Sequence, residues 1–378
     1  MQLDMHYYGV FALARAAGLK EEHAKTIATA SQFVDDNVEK ELIEFQDAAR
    51  FRVQVTGHHA INIKNIDLDD QRQVWVPFHF LPGNEGDSYT EKLICRKNSM
   101  LGRDMVDYYV RMYDESFIVE LIGVAAHVYA DTFSHFGFSG VSSRRNLVNQ
   151  KPDKLIYDKK LDAEMKKYIK KKILKFAEKY GAEQALPNVK SWFSFTVRRA
   201  GDLIEKAQGL FREGALGHAG AYTLPDRPYL EWEYSTEYPS EVKVERNNPK
   251  DFLEGCEALY NMFVRLAEKR GDLSADDRKD FEDIKGDISN LLNKQASMED
   301  RIKAWQTAVK DGKIYRNGPS SIPDYDKTRW HTNREGLKYL DNSSAAIGEE
   351  VFRFYQAASF HRNYVLRILL PKHNLVVH

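Results

Sequence analysis

Cysteine is nearly absent: Cys95 and Cys256 are the only two among 378 residues. Two thiols so far apart exclude a disulfide framework and a cysteine-based zinc site. An excess of either charge is also missing. The net charge of -1 gives no overall pull toward nucleic acid or an anionic membrane. No apolar run reaches 18 residues, so no spanning helix is expected. The start, Met1-Gln-Leu-Asp-Met-His-Tyr-Tyr, lacks the basic and apolar regions of a signal peptide, and the expected address is cytoplasmic. Several catalytic motifs are missing too. There is no His-Glu-x-x-His, no Glu-x-x-His, no adjacent His-Asp pair, no phosphate-binding glycine loop and no Gly-x-Ser-x-Gly. Their absence removes the common zinc-peptidase helix, the carboxylate-bridged di-iron bundle, nucleotide-loop enzymes and the serine-hydrolase elbow.

What is present reads as mostly α-helical. Apolar spacing predicts helices over 8–17, closed by Gly18, and over 21–34, running into Asp35-Asp36. Two β-like runs, 51–55 and 74–80, predict a short ribbon. One helical tract is expected over 101–136, a lysine-rich helix over 154–180 and another over 188–212. Charged amphipathic stretches follow at 249–269, 275–312 and 344–368. The expected organisation is a metal-binding, catalytic helical domain over 1–240 and a helical C-terminal extension over 241–378 packed on it.

The most informative segment is His127-Val-Tyr-Ala-Asp131-Thr-Phe-Ser-His135, following the apolar run 117–126. Steps of four residues turn a helix about 40° beyond a full circle, so His127, Asp131 and His135 share one face. Burying two imidazoles and a carboxylate there is costly without compensation, and a divalent cation supplies it.

Other ligand-type residues sit in comparable surroundings. Asp4 and His6 flank the N-terminal helix, and Asp35 and Asp36 end the second one. His79 lies in an aromatic run, His218 among small residues, and Asp226 in a turn after Pro225. Together they exceed what one metal needs and suit two or three. His331 and Glu335 share a helix face as a reserve pair. His23, His361, His373 and His378 read as peripheral, and His58 and His59 as turn residues.

This ordered series resembles the zinc-dependent phospholipase C and single-strand nuclease superfamily. The resemblance implies a multi-helix bundle with two or three zinc ions that cleaves phosphodiester bonds. It assigns metal ligation to Asp4, His6, Asp35 or Asp36, His79, His127, Asp131, His135, His218 and Asp226. In that superfamily an N-terminal amine also binds zinc, and here Asp4 is the expected replacement. Asp131 would bridge ions, and whichever of Asp35 and Asp36 is not a ligand would orient the attacking water. The Asp-Met-His-Tyr-Tyr start, the Tyr-Ala-Asp-Thr-Phe-Ser-His-Phe-Gly-Phe centre and the Gly-His…Pro-Asp-x-Pro segment also resemble an uncharacterised bacterial family.

The substrate could be a phospholipid head group, a nucleotide or single-stranded nucleic acid. Tyr7, Tyr8, Tyr129 and Phe133 lie close enough in sequence to the ligands to stack bases. The apolar side of 161–176, beside its lysines, could lie on an anionic bilayer. The rival reading is a helical interaction protein with a structural metal site, using the C-terminal helices as its partner surface.

Overall fold

The computed structural model describes residues 1–57, 71–164, 167, 216–275, 278–315 and 321–377. They are mostly helical, with two small antiparallel sheets. The helices used below are α1 (Val10–Ala16), α2 (Glu21–Asp36), α3 (Met100–Arg111), α4 (Ile118–His135), α5 (Asn248–Lys269), α6 (Phe281–Leu292), α7 (Met298–Lys310), α8 (Arg329–Leu337) and α9 (Glu350–Tyr364). Among the described residues no helix is long and apolar enough to cross a membrane.

The central element is α4. All of its eighteen residues except Val119 are buried, because α2, α3, α5 and α9 pack around it. A helix apolar on every side can only be stable in such a sheath. Its closest neighbour is α2, and Gly123 makes that approach possible. A methyl group added at Gly123 would lie 2.5 Å from Ala30 Cβ and 2.6 Å from the Ile27 carbonyl oxygen.

One continuous apolar cluster extends from Met1 to Val377, so helices on both sides of residue 240 share it. A second cluster joins Phe80, Phe138, Leu224, Trp232 and Tyr234. It lies against a sheet in the order β3 (Leu155–Ile156), β4 (Glu231–Ser235) and β5 (Lys243–Asn247). The other sheet pairs β1 (Leu42–Glu44) with β2 (Arg50–Arg52).

Several sequence expectations need correction. The run 74–80 is helical, with a π-turn Gln71–Trp75 followed by an α-turn Val76–Phe78. Its β-branched residues suggest a strand, but Pro77 sits in the first turn, where a missing N–H costs nothing. The tract 101–136 is two helices separated at 112–117, where Met-Tyr-Asp-Glu-Ser-Phe intervenes. The stretch 275–312 is likewise divided, with Ser297 accepting from the Asp300 amide to begin α7. Residues 154–164 hold β3 and a short turn, while most of the expected lysine-rich helix, and all of 188–212, lie outside the described residues. The three-stranded sheet has no counterpart among the strands that the sequence predicts.

Gly123→Ala should lower stability by about 1–3 kcal/mol through overpacking. A drop in the thermal midpoint checks this, and an unchanged midpoint would show that α2 and α4 are less closely apposed.

Candidate metal centre

The helix-packing pattern brings eight ligand-type side chains to one place. His6 comes from a π-helical turn, Asp4–Gly9, that precedes α1. Asp35 ends α2, and His79 follows the turn Val76–Phe78. His127, Asp131 and His135 project from α4. His218 begins the short turn Ala219–Ala221, and Asp226 lies just beyond it. Three sets of atoms lie within 4.8 Å of one another: His6, His127 and Asp131; Asp35, His79 and His127; and His135, His218 and Asp226.

Asp131 is the hub. Its Oδ1 lies 3.2 Å from His6 Nε2, while Oδ2 lies 3.2 Å from His127 Nε2 and 3.5 Å from both His79 Nδ1 and His135 Nδ1. The Met1 amine is also there, 2.7 Å from Asp131 Oδ1 and 3.3 Å from Asp226 Oδ1. Burial opposes charge on Asp131, yet His135, the amine, His127 and His6 hold its carboxyl well below the usual range. Asp226 is likewise depressed against burial, chiefly by His218 and the amine.

Four of the five imidazoles have a fixed orientation. One ring nitrogen of each lies 2.8 Å from a backbone carbonyl: His127 from Ser31, His79 from Thr56, His135 from His79 and His218 from Tyr222. A carbonyl only accepts, so that nitrogen carries a proton and the other is left to face the cluster. The nitrogens that face it are His127 Nε2, His79 Nδ1, His135 Nε2 and His218 Nε2; each lies near a carboxylate or another ring, and each would offer a lone pair to a cation once deprotonated. Metal-binding histidines are held in this manner by their outer partners. His6 differs: it is fully buried, stacks on His127 at 3.9 Å and, among the described residues, makes no well-aligned hydrogen bond on either nitrogen. Burial, then His127 and the amine, push its pKa well below 6.5. Burial also brings His218 down to about 4, so both rings are neutral at physiological pH, as a ligand requires.

The surrounding chain is organised to hold these positions. Thr56 links two ligands, because its hydroxyl donates to the Val34 carbonyl while its own carbonyl faces His79. Gly217 has φ +54°, and a Cβ there would lie 2.3 Å from the Phe80 ring. Only glycine allows that backbone and that contact beside His218. Asn248 donates to the carbonyls of Leu224 and Arg227. Ser134 on α4 donates to the Pro225 carbonyl, tying the Asp226 turn to the helix.

The remaining candidates from the sequence lie elsewhere. Asp4 does not join the cluster among the described residues; its Oδ2 accepts from Arg301 Nε at 2.6 Å, both groups buried. Asp36 is engaged by Lys327 at 2.8 Å, Tyr325 at 2.9 Å and Gln32 at 3.3 Å. His331 packs on Phe33, and Glu335 pairs with Arg334 and Lys338, so the reserve pair forms no site. Far from being peripheral, His361 is fully buried between the Tyr109 hydroxyl and the Pro77 carbonyl, each at 2.8 Å. It braces the turn that leads to His79, and no apolar pattern on α9 announces it. His58, His59 and His378 lie outside the described residues. Tyr7, Tyr8, Tyr129 and Phe133 are all buried in the core, so they offer no face for stacking a base.

What the arrangement can do follows from its charge. Three carboxylates converge on one ammonium and five imidazoles, of which His6 and His218 are held neutral. Such an imbalance in a buried site is what divalent cations correct. Nitrogen and oxygen donors without thiolate suit zinc or a similar ion.

The model of a family of unknown function, DUF6765, matches residues 1–369, and the chain belongs to that family. No curated protein and no solved structure matches it.

Asp4→Ala would leave Arg301 buried without its carboxylate, at a cost of about 3–5 kcal/mol. Denaturant unfolding of this variant, and of Asp4→Leu combined with Arg301→Met, checks the assignment. The double variant should recover most of the loss, and an Asp4→Ala chain as stable as the wild type would contradict the pairing.

Proposed function

Starting from membership in that family and from the cluster just described, we propose that the chain is a zinc-dependent phosphodiester hydrolase. Its bundle and ligand order are of the phospholipase C and single-strand nuclease kind. The observation that carries this reading is the crowding of donors around His127 and Asp131: His127 belongs to two ligand sets, and Asp131 lies within 3.5 Å of four imidazoles. A single structural ion needs four donors at most, whereas eight side chains converge here. His6 supports the fit, since among the described residues neither of its buried nitrogens makes a well-aligned hydrogen bond, although Nε2 lies 3.2 Å from Asp131 Oδ1.

His127 has one nitrogen free and would join either His6 and Asp131 or Asp35 and His79 in holding one ion, while His135, His218 and Asp226 would hold another. Bound together, such cations lower the pKa of water toward neutrality and offset charge on the phosphoryl oxygens. The residues divide the remaining work by exposure. Asp131 is 1 % exposed and serves only to bridge and orient. The Asp35 side chain is 35 % exposed, the most open carboxylate of the set. Burial nonetheless raises its pKa, which suits a group that takes a proton from the attacking water. Asp36 orients no water in this scheme. Its oxygens hold Tyr325 and Lys327 at the rim beside Asp35. The buried aromatic residues remove the main argument for stacked bases, so a phosphodiester recognised through its phosphate is favoured over a nucleobase-reading nuclease.

The test uses protein purified without chelator. Elemental analysis should find two or three zinc ions per chain, and bis(p-nitrophenyl) phosphate should be hydrolysed. Chelation should abolish turnover and added zinc restore it. Asp131→Asn and Asp35→Asn should lose turnover with their circular dichroism retained, while Asp36→Asn keeps most of it. Full activity of folded Asp131→Asn would sink the scheme, and bound metal without turnover of any phosphodiester would assign the site a structural role.

A further inference from the structure

A second concavity, of about 310 Å³, lies where the end of α9 meets the turn that leads to His79. Arg362 and Asn363 come from α9, Arg367 from the π-turn Val365–Leu369 that continues it, and Arg72 and Gln73 from the turn Gln71–Trp75. Leu366 and Val377 form an apolar floor. Residues five apart on an α-helix point about 140° from each other. The i→i+5 turn after Tyr364 narrows that angle, so Arg362 and Arg367 line the same space.

Among the described residues no carboxylate lines this concavity. Neither the Arg362 nor the Arg367 side chain has a hydrogen bond or ion pair with a described residue. Arg362 is half-buried, and its charge is disfavoured first by burial and then by Arg367. Like charges held together at the mouth of a cavity need a counter-charge. Guanidiniums offer planar forks that match phosphate oxygens, and the Gln73 and Asn363 amides add further donors. A carboxylate brings one negative charge to the Arg362 and Arg367 pair, whereas a phosphate monoester brings up to two. The volume is at the lower limit for small-molecule sites and admits one phosphate with a short substituent.

We propose that this cavity binds a small phosphate-bearing anion, independently of the His and Asp cluster, with which it shares no residue. Inorganic phosphate is the probe, titrated calorimetrically into the full chain with its native metal at fixed ionic strength. The wild type should bind at millimolar concentration or below. Arg367→Gln and Arg362→Gln should each weaken binding about tenfold or more, with metal content unchanged. Arg367 is exposed, so its substitution leaves a folded protein even where Arg362→Gln does not. Arg50→Gln, on exposed β2, should have no effect. The proposal is overturned by a wild type that does not bind phosphate, by affinity within twofold of wild type in Arg367→Gln, or by an equal loss in Arg50→Gln.

Discussion

The Asp131 carboxylate, buried at the middle of the protein, is the constraint on which the rest depends. An isolated carboxylate in such a place would take up a proton. This one stays ionised because three imidazoles and an ammonium surround it. Each of those partners needs its own support, and the fold supplies it largely through main-chain oxygens. The carbonyls of Ser31, Thr56, His79 and Tyr222 fix four rings. Backbone oxygens cannot be lost by substitution, so ring orientation is secured by the path of the chain itself. That path depends on helix packing, above all on the close approach of α2 and α4 at Gly123.

The parts of this site legible in the sequence are those governed by local periodicity. The spacing of His127, Asp131 and His135 on an apolar helix predicts one buried face, and α4 presents all three that way. Asp35 at the end of a buried helix is equally readable, but its neighbour cannot be separated from it. A helix end turns adjacent residues about 100° apart, and which one faces inward depends on Tyr325 and Lys327, nearly three hundred positions away. The strand-like pattern of 74–80 misleads because β-branched and aromatic residues fit a buried helical turn as well as a strand. His79 nevertheless lies in the cluster, since its position depends on the Thr56 carbonyl rather than on the type of local element.

Long-range pairing is the least legible. Nothing near Asp4 marks it as the partner of Arg301, and nothing near His361 indicates that Tyr109 and Pro77 enclose it. The C-terminal helices look like an addition in the sequence because their charged faces suggest solvent. Their apolar faces instead belong to the same core as α1 and α2. The sheet of β3, β4 and β5 escapes a periodicity argument because its longest strands have five residues. It still matters, since β5 leads directly into Asn248, the first residue of α5, which ties down the loop around Asp226.

The buried pair of Asp4 and Arg301 spans 297 positions of chain. During synthesis the first helix emerges long before the residue that neutralises it. Until α7 leaves the ribosome, the opening segment must therefore keep a carboxylate in water that the finished protein seals away. Contacts of such separation delay folding, because the intervening loop must close first. The pair can therefore close only once residue 301 has been made, which sets the last step in sealing the opening segment.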